Sequence, residues 1–171
     1  ESEERLDHAQ KLLLEGKHLQ VLQDMMTARK SLMEAYCVVQ KPQADEHRAF
    51  WCHDAHGVSG MTWDEAIERL AENGFTAILP NMLWGGSAYY ESTVLPVAPS
   101  VKERGDQIEA CLAACKKYGV RFGTYYSIID WEYPTTGPGF EKANYVQYMK
   151  DQVRELIEKY DTDILWFDGD W

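Results

Sequence analysis

A carboxylate at the end of an apolar run is the most pointed chemical feature of this chain. Residues 164–167, Ile-Leu-Trp-Phe, lead straight into Asp168, and Gly169-Asp170-Trp171 follow. A parallel barrel presents reactive acids in this way, with the strand inside and the side chain at its C-terminal end. A carboxylate so placed can serve as acid, base or nucleophile. Asp170, Asp130 and Glu132 are the carboxylates available to partner it. Asp170 would share a strand face with Asp168, its Cα roughly 6.5 Å away at about 3.3 Å per residue, and would project alongside it rather than across a ligand. Asp130 and Glu132 follow an earlier predicted strand and are better placed around the rim, although a solvated loop carboxylate is the plainer reading of each. His53, Asp54 and His56 could begin a metal site with Asp168. His53 and His56 end a strand and lack the spacing of a helical ligand pair, so rim or core histidines are expected, and no metal or other cofactor. Trp84, Tyr89, Tyr90, Trp131 and Tyr133 offer flat apolar faces with polar tips, suited to stacking on a ring-shaped ligand. Aromatics that merely cover a barrel mouth would look the same.

The elements that must position these groups are legible in the pattern. Residues 2–40 read as one helix, or two broken near Gly16, with Leu12, Leu13, Leu19, Leu22, Met25, Met26, Leu32, Met33 and Tyr36 near helical spacing. Pro42 stops the pattern. This arm, residues 1–44, carries no chemical motif and is expected to be an amphipathic brace. From residue 45 onward the pattern alternates strand and helix: strands near 48–53, 75–81, 120–127 and 162–168, and helices near 62–73, 100–118 and 141–160. Thr62-Trp-Asp-Glu65 and Ser100-Val-Lys-Glu103 read as capping boxes, and Gly74 and Gly119 as helix stops. Four strands separated by helices imply parallel pairing with right-handed crossovers. The fold class is therefore α/β. A (β/α)8 barrel needs about 250 residues, so the expectation is half of one, a (βα)4-like parallel sheet behind a helical arm. Open edges on such a sheet invite pairing, so a homo-oligomer that closes the barrel is an expected partner. His53, Trp84, Tyr126, Asp130, Trp131 and Asp168 all fall near predicted strand ends, on the face where a barrel keeps its site.

Composition narrows the classes. The net charge of −11 opposes nucleic acid and anionic membrane surfaces, which need a positive field; a neutral ligand such as a sugar is not repelled. No GxGxxG follows the first strand and no P-loop is present, so nucleotide binding has no support. Cys37, Cys52, Cys111 and Cys115 form no CxxC pair; Cys111 and Cys115, four apart on a predicted helix, make a poor zinc site and are expected to act as small buried hydrophobes. The charged start, Glu1-Ser-Glu-Glu-Arg5, resembles neither a signal peptide nor a membrane span.

Two families resemble different stretches. Arg48-Ala-Phe-Trp51, Asn73-Gly-Phe-Thr-Ala-Ile78 and Trp84-Gly-Gly-Ser-Ala-Tyr-Tyr-Glu-Ser92 with Leu95-Pro96 make residues 48–119 similar to the glycosyl-hydrolase-like 10 family. Arg121-Phe-Gly-Thr-Tyr-Tyr-Ser-Ile-Ile-Asp-Trp131, Tyr148-Met-Lys-Asp-Gln-Val-Arg-Glu-Leu156 and Asp163-Ile-Leu-Trp-Phe-Asp-Gly-Asp-Trp171 resemble the alpha-L-fucosidases, glycoside hydrolase family 29. The two meet near Gly119, which reads as a chimera of barrel fragments or as an unusual single lineage. The second resemblance implies a (β/α)8 barrel, retention through a covalent glycosyl-enzyme, Asp168 as nucleophile, a fucoside or related carbohydrate as ligand, and a secreted or periplasmic setting. Retaining hydrolysis sets its two carboxyl groups roughly 5–5.5 Å apart, and in that family the acid/base residue comes from later in the barrel than Trp171. The chain departs from the family at the first two strands. Fucosidases hold the sugar there with His-Trp-Gly and Lys-His-His-Asp-Gly; here stand Trp51-Cys-His-Asp-Ala-His56 and Leu79-Pro-Asn-Met82. An enzyme of this class or a non-catalytic scaffold, including a dimerising half-barrel, are the two functional readings.

Overall fold

The computed structural model describes residues 2–41, 43, 45–130, 132, 133 and 141–169. The chain forms two compact units, Glu1–Glu46 and His47–Trp171. The first contains α1 (Ser2–Leu14) and α2 (His18–Val39), which pack on each other. Gly16 makes the turn between them at φ +73°, a conformation that costs glycine little, and His8 and Asp24 tie the two helices at 2.5 Å. The buried positions are mostly small: Ala9, Leu12 and Ala28. Of the apolar series read from the sequence, only Leu12 is buried, and Leu13, Leu19, Leu22, Met25, Met26, Leu32, Met33 and Tyr36 are exposed.

The second unit runs β1 (Ala49–Cys52), α3 (Trp63–Glu72), β2 (Ala77–Pro80), β3 (Leu83–Trp84), β4 (Ser87–Ala88), α4 (Val101–Arg104), α5 (Gln107–Tyr118), β5 (Arg121–Ser127), α6 (Lys142–Tyr160) and β6 (Ile164–Asp168). Four strands form one sheet in the order β1-β2-β5-β6, and every pair in it is parallel. The strand–helix alternation therefore gives the parallel α/β arrangement that the sequence pattern implies. Residues alternate across β5 with the period of two that a strand imposes. Phe122 and Tyr126 join Ile78, Ile67, Ile108, Cys111 and Leu156 in the core beneath the helices, while Gly123, Tyr125 and Ser127 face the other way. The register Ala77↔Arg121 and Ile78↔Phe122 pairs strands that lie on either side of Gly119 in the chain.

Local chemistry explains the element boundaries. Thr62 Oγ1 accepts from the Glu65 amide at 3.2 Å and Glu65 accepts from the Thr62 amide at 2.8 Å, the reciprocal capping box that starts α3. The second expected box does not form. Ser100 makes no capping bond, and the stretch expected as one helix is two. Gly105 (φ +76°) ends α4, and Asp106 caps α5 by accepting from the Glu109 amide at 3.0 Å. Asp106 also accepts from the Tyr160 hydroxyl at 2.6 Å and the Glu91 amide at 2.9 Å, so tertiary bonds hold the cap that prevails.

The long connection after β2 also contains structure. β3 and β4 form an antiparallel hairpin around Gly85 and Gly86, both at positive φ, as a two-residue turn of this kind requires. Farther along, the Glu155 carboxylate of α6 accepts from Ser92 Oγ at 2.5 Å, the Thr93 amide at 2.6 Å and Thr93 Oγ1 at 2.8 Å. The loop above the sheet is thereby fastened to the helix layer. Cys52, Cys111 and Cys115 are buried and free, as small hydrophobes; Cys37 is exposed.

Candidate active site

Asp168 is the last residue of β6 and pairs in register with Ser127 of β5. The Ile128 amide donates to the Asp168 carbonyl at 2.8 Å, so the ladder holds to the tip and fixes the backbone that carries the carboxylate. Two residues before Ser127, Tyr125 points to the same open side of the sheet, and its hydroxyl donates to Asp168 Oδ2 at 2.6 Å. Partial burial, reinforced by that bond and the Asp168 charge, pushes the Tyr125 phenol up to about 12. Tyr125 therefore keeps its proton at neutral pH and orients one carboxylate oxygen; no hydrogen bond to the other is found among the described residues.

A row of aromatic rings continues from Tyr125 across the open face. Trp51 of β1 lies 5.6 Å from it, centroid to centroid, and meets His53 edge-on at 5.6 Å. His53 meets Trp84 edge-on at 4.7 Å. Trp51 and Trp84 are each about half exposed. His53 and Trp84 are thus brought together, on the side of the sheet where Asp168 stands.

Tyr126 is placed differently. It is buried on the helix side, and its hydroxyl donates to Gln152 Oε1 at 3.1 Å. Asp130 sits beyond β5 with both carboxylate oxygens engaged, Oδ1 accepting from the Glu132 amide at 2.9 Å and Oδ2 from the Tyr148 hydroxyl at 3.0 Å. Its backbone is held as well, because its amide donates to Tyr145 Oη at 2.8 Å. These bonds make Asp130 an organiser of the rim. Trp131 lies outside the described residues. The His56 ring stands edge-on to Tyr89, and Asp54 accepts from the His56 amide at 2.8 Å. Among the described residues no three His, Cys, Asp or Glu side chains converge as a metal site.

A cavity of about 370 Å³ opens at the top of β5. Tyr125, Tyr126, Asp130 and Trp84 line it, together with Leu83, Leu95, Ile129 and Gln152. Sequence reading did not single out Tyr125, Trp51 or Gln152. Tyr125 was within reach: strand alternation puts it on one face with Ser127, and parallel pairing of two strand ends puts Ser127 beside Asp168.

The comparisons with known proteins converge on one family. The family model for alpha-L-fucosidase matches residues 86–171, half of the chain. That match begins well upstream of Gly119, at residue 86. The tissue alpha-L-fucosidase of Mus musculus is 30% identical over 64 residues, covering 34% of this chain and 14% of that protein. The plasma alpha-L-fucosidase of Homo sapiens is 28% identical over 93 residues, covering 52% of this chain and 19% of that protein. The chain thus spans between a seventh and a fifth of the length of these curated relatives. Among solved structures, a glycoside hydrolase 29 family member from an unknown rumen bacterium superposes with a TM-score of 0.60 at 22% identity, over 72% of this chain and 26% of that one. Alpha-L-fucosidase isoenzyme 1 from Paenibacillus thiaminolyticus also gives 0.60, at 17% identity, over 73% of this chain and 40% of that one. Sequence match over the half that contains Asp168, and shared fold over most of the chain, agree: this chain belongs to the alpha-L-fucosidase family.

Proposed function

We propose that residues 47–171 are the nucleophile-bearing half of a (β/α)8 glycoside hydrolase, with Asp168 attacking the anomeric carbon of an alpha-L-fucoside or related glycoside. The observation that carries this reading is the Tyr125–Asp168 pair at the end of adjacent parallel strands, within the segment that matches the family. Attack by Asp168 forms a glycosyl ester and expels the aglycone oxygen, which needs a proton from a second carboxyl group. Tyr125 holds Asp168 in position. Asp130 accepts from the Glu132 amide and the Tyr148 hydroxyl, which suits it to holding the rim, so the second carboxyl group is left unassigned. A family match that runs through Gly119 supports a single lineage over a chimera. Incubation with an aryl 2-fluoro-alpha-L-fucoside followed by intact mass measurement tests the reading. A mass increase of one fluoro-sugar, mapped to Asp168 and absent from Asp168→Asn, is the expected result; an unmodified protein with bound sugar would remove the nucleophile assignment.

A second reading is favoured by one specific observation. Trp166 and Phe167 on edge strand β6, and Phe50 and Trp51 on edge strand β1, are all substantially exposed. A non-catalytic half-barrel that closes against a second copy would bury these residues. Sedimentation at micromolar concentration separates the two: a compact monomer excludes closure by a second copy.

A further inference from the structure

Each helix of the first unit carries a second series of residues beside the one that holds the hairpin together. Val21, Asp24, Ala28 and Ser31 are the only positions of α2 that are not exposed. They recur at intervals of three and four, and they mark the side that packs on α1. On α1 the corresponding positions are Arg5, Ala9 and Leu12. The series one residue further on lies about 100° round each helix. On α2 it is Leu22, Met25, Arg29, Leu32 and Tyr36; on α1 it is Leu6, Gln10 and Leu13. All of these are exposed, and all but Arg29 and Gln10 are large and apolar. The tight turn at Gly16 makes the helices antiparallel, so the same rotation on each brings both series to one side of the hairpin. Spacing of this kind on a second side is what a helix shows when it also faces a second layer of helices.

The charges on this side select the occupant. The turn sets residues equally far from Gly16 side by side, as His8 and Asp24 are, each eight residues from it. By the same register Glu3 of α1 stands level with Arg29, the one charged residue in the α2 series. Neither makes an ion pair with another described residue. We propose that the α1–α2 hairpin is a dimerisation device, which pairs face to face with a second copy of itself to form an antiparallel four-helix bundle. A two-fold axis parallel to the helices keeps the levels unchanged. It lays α2 of one copy on α1 of the other, with Arg29 opposite Glu3 at two symmetry-related places. Leu22 and Met25 of one copy then lie against Leu13 and Leu6 of the other. Beyond the start of α1, Leu32 and Tyr36 of the two copies close on each other across the axis. The surface is thus complementary to itself in both apolar position and charge, as an isologous interface must be. This interface is separate from closure of the sheet edges and does not depend on Asp168.

Sedimentation equilibrium of the whole chain at micromolar concentration, with far-ultraviolet circular dichroism to follow helix content, tests the proposal. A dimer is expected. Leu22→Lys combined with Leu32→Lys alters two exposed positions with a good helix former and is expected to give a monomer of unchanged helix content. Arg29→Glu sets two pairs of like charges across the interface, and Glu3→Arg does the same with the opposite sign. Each is expected to weaken the dimer at least about tenfold. Mixing these two single variants restores Arg–Glu pairs at both places only when the pairs run between copies, so the mixture is expected to dimerise as the parent does. A monomeric parent, whether its hairpin is covered by its own chain or by solvent alone, would overturn the proposal. So would a dimer that survives the double lysine variant but is lost with Trp166→Lys on the sheet edge, or a mixture no tighter than its components.

Discussion

Tyr125 and Tyr126 are neighbours in the chain and serve opposite faces of β5. Tyr126 goes to the helix side, where Phe122 and Leu156 are fully buried and its hydroxyl meets Gln152. Tyr125 goes to the open side, where Trp51 and Trp166 are each about half exposed and its hydroxyl meets Asp168. One face is closed by packing, and its polar groups are there to be satisfied. The other stays accessible, and its polar group is aimed at a carboxylate that can react. Substitutions on the helix face should therefore register as lost stability, and substitutions on the open face as lost chemistry.

The sharpest contrast comes from the large rings. Phe122→Ala removes a fully buried side chain from the centre of the core and should cost about 3–5 kcal/mol in urea unfolding. Trp51→Ala, on the open face, should cost below about 1 kcal/mol, as exposed substitutions usually do. Equal losses would mean that the open face is covered in solution, as closure by a second copy requires.

Gly123 tests how tightly the open face is built at its base. A Cβ at this position would collide with the Leu79 side chain and stand 2.9 Å from Ile164 Cβ. Gly123→Ala should destabilise by about 1–3 kcal/mol, in the range of other overpacking changes. Because Gly123 pairs with Ile164 at the start of β6, the same change should also slow labelling of Asp168 by displacing the strand that carries it. Unchanged stability in a denaturant titration would show that Leu79 moves aside freely.

The tyrosines divide the two effects most cleanly. Tyr126→Phe leaves Gln152 Oε1 without its donor inside the fold and should cost about 1–2 kcal/mol. Tyr125→Phe should leave the unfolding midpoint nearly unchanged and lower the rate of Asp168 labelling by roughly tenfold, the worth of one charge-assisted hydrogen bond. A reversal of these outcomes would exchange the roles assigned to the two faces.

The parallel order of the sheet could be read in advance because strand periods, helix caps and glycine stops are local signals. The apolar run before Asp168 also put that residue at the tip of a strand. The site itself was less legible. Which tyrosine meets Asp168 depends on the phase of β5 relative to β6, a pairing between residues some forty positions apart. The two-helix break at Gly105 was missed because Ser100 and Asp106 each begin a plausible cap. Asp106 prevails through bonds to Tyr160 and Glu91, which no local pattern reveals. Gln152 looks like any polar residue on an amphipathic helix until the Tyr126 bond shows what its amide meets. The exposed series in α1 and α2 shows the converse, since helical spacing of apolar residues identified the helices without identifying what would cover them.

The smallest effect is also the most direct reading of the two faces, because it follows the tyrosines themselves in alkaline solution. Both phenols are raised, Tyr125 to about 12 and Tyr126 further, with burial the leading cause in each. An unfolded tyrosine ionises near pH 10. The folded state therefore binds these protons more tightly, and the resulting stability is fully present below about pH 10 and fades as the pH rises through the folded values. Absorbance at 295 nm should show one phenol titrating near pH 12 in the folded protein that is missing from Tyr125→Phe. Tyr126→Phe should remove no signal until unfolding begins. Should Tyr126 instead titrate alongside Tyr125 while the fold persists, water would have access to the helix face, and the distinction between a packed side and a reactive side would fail where it is drawn most finely.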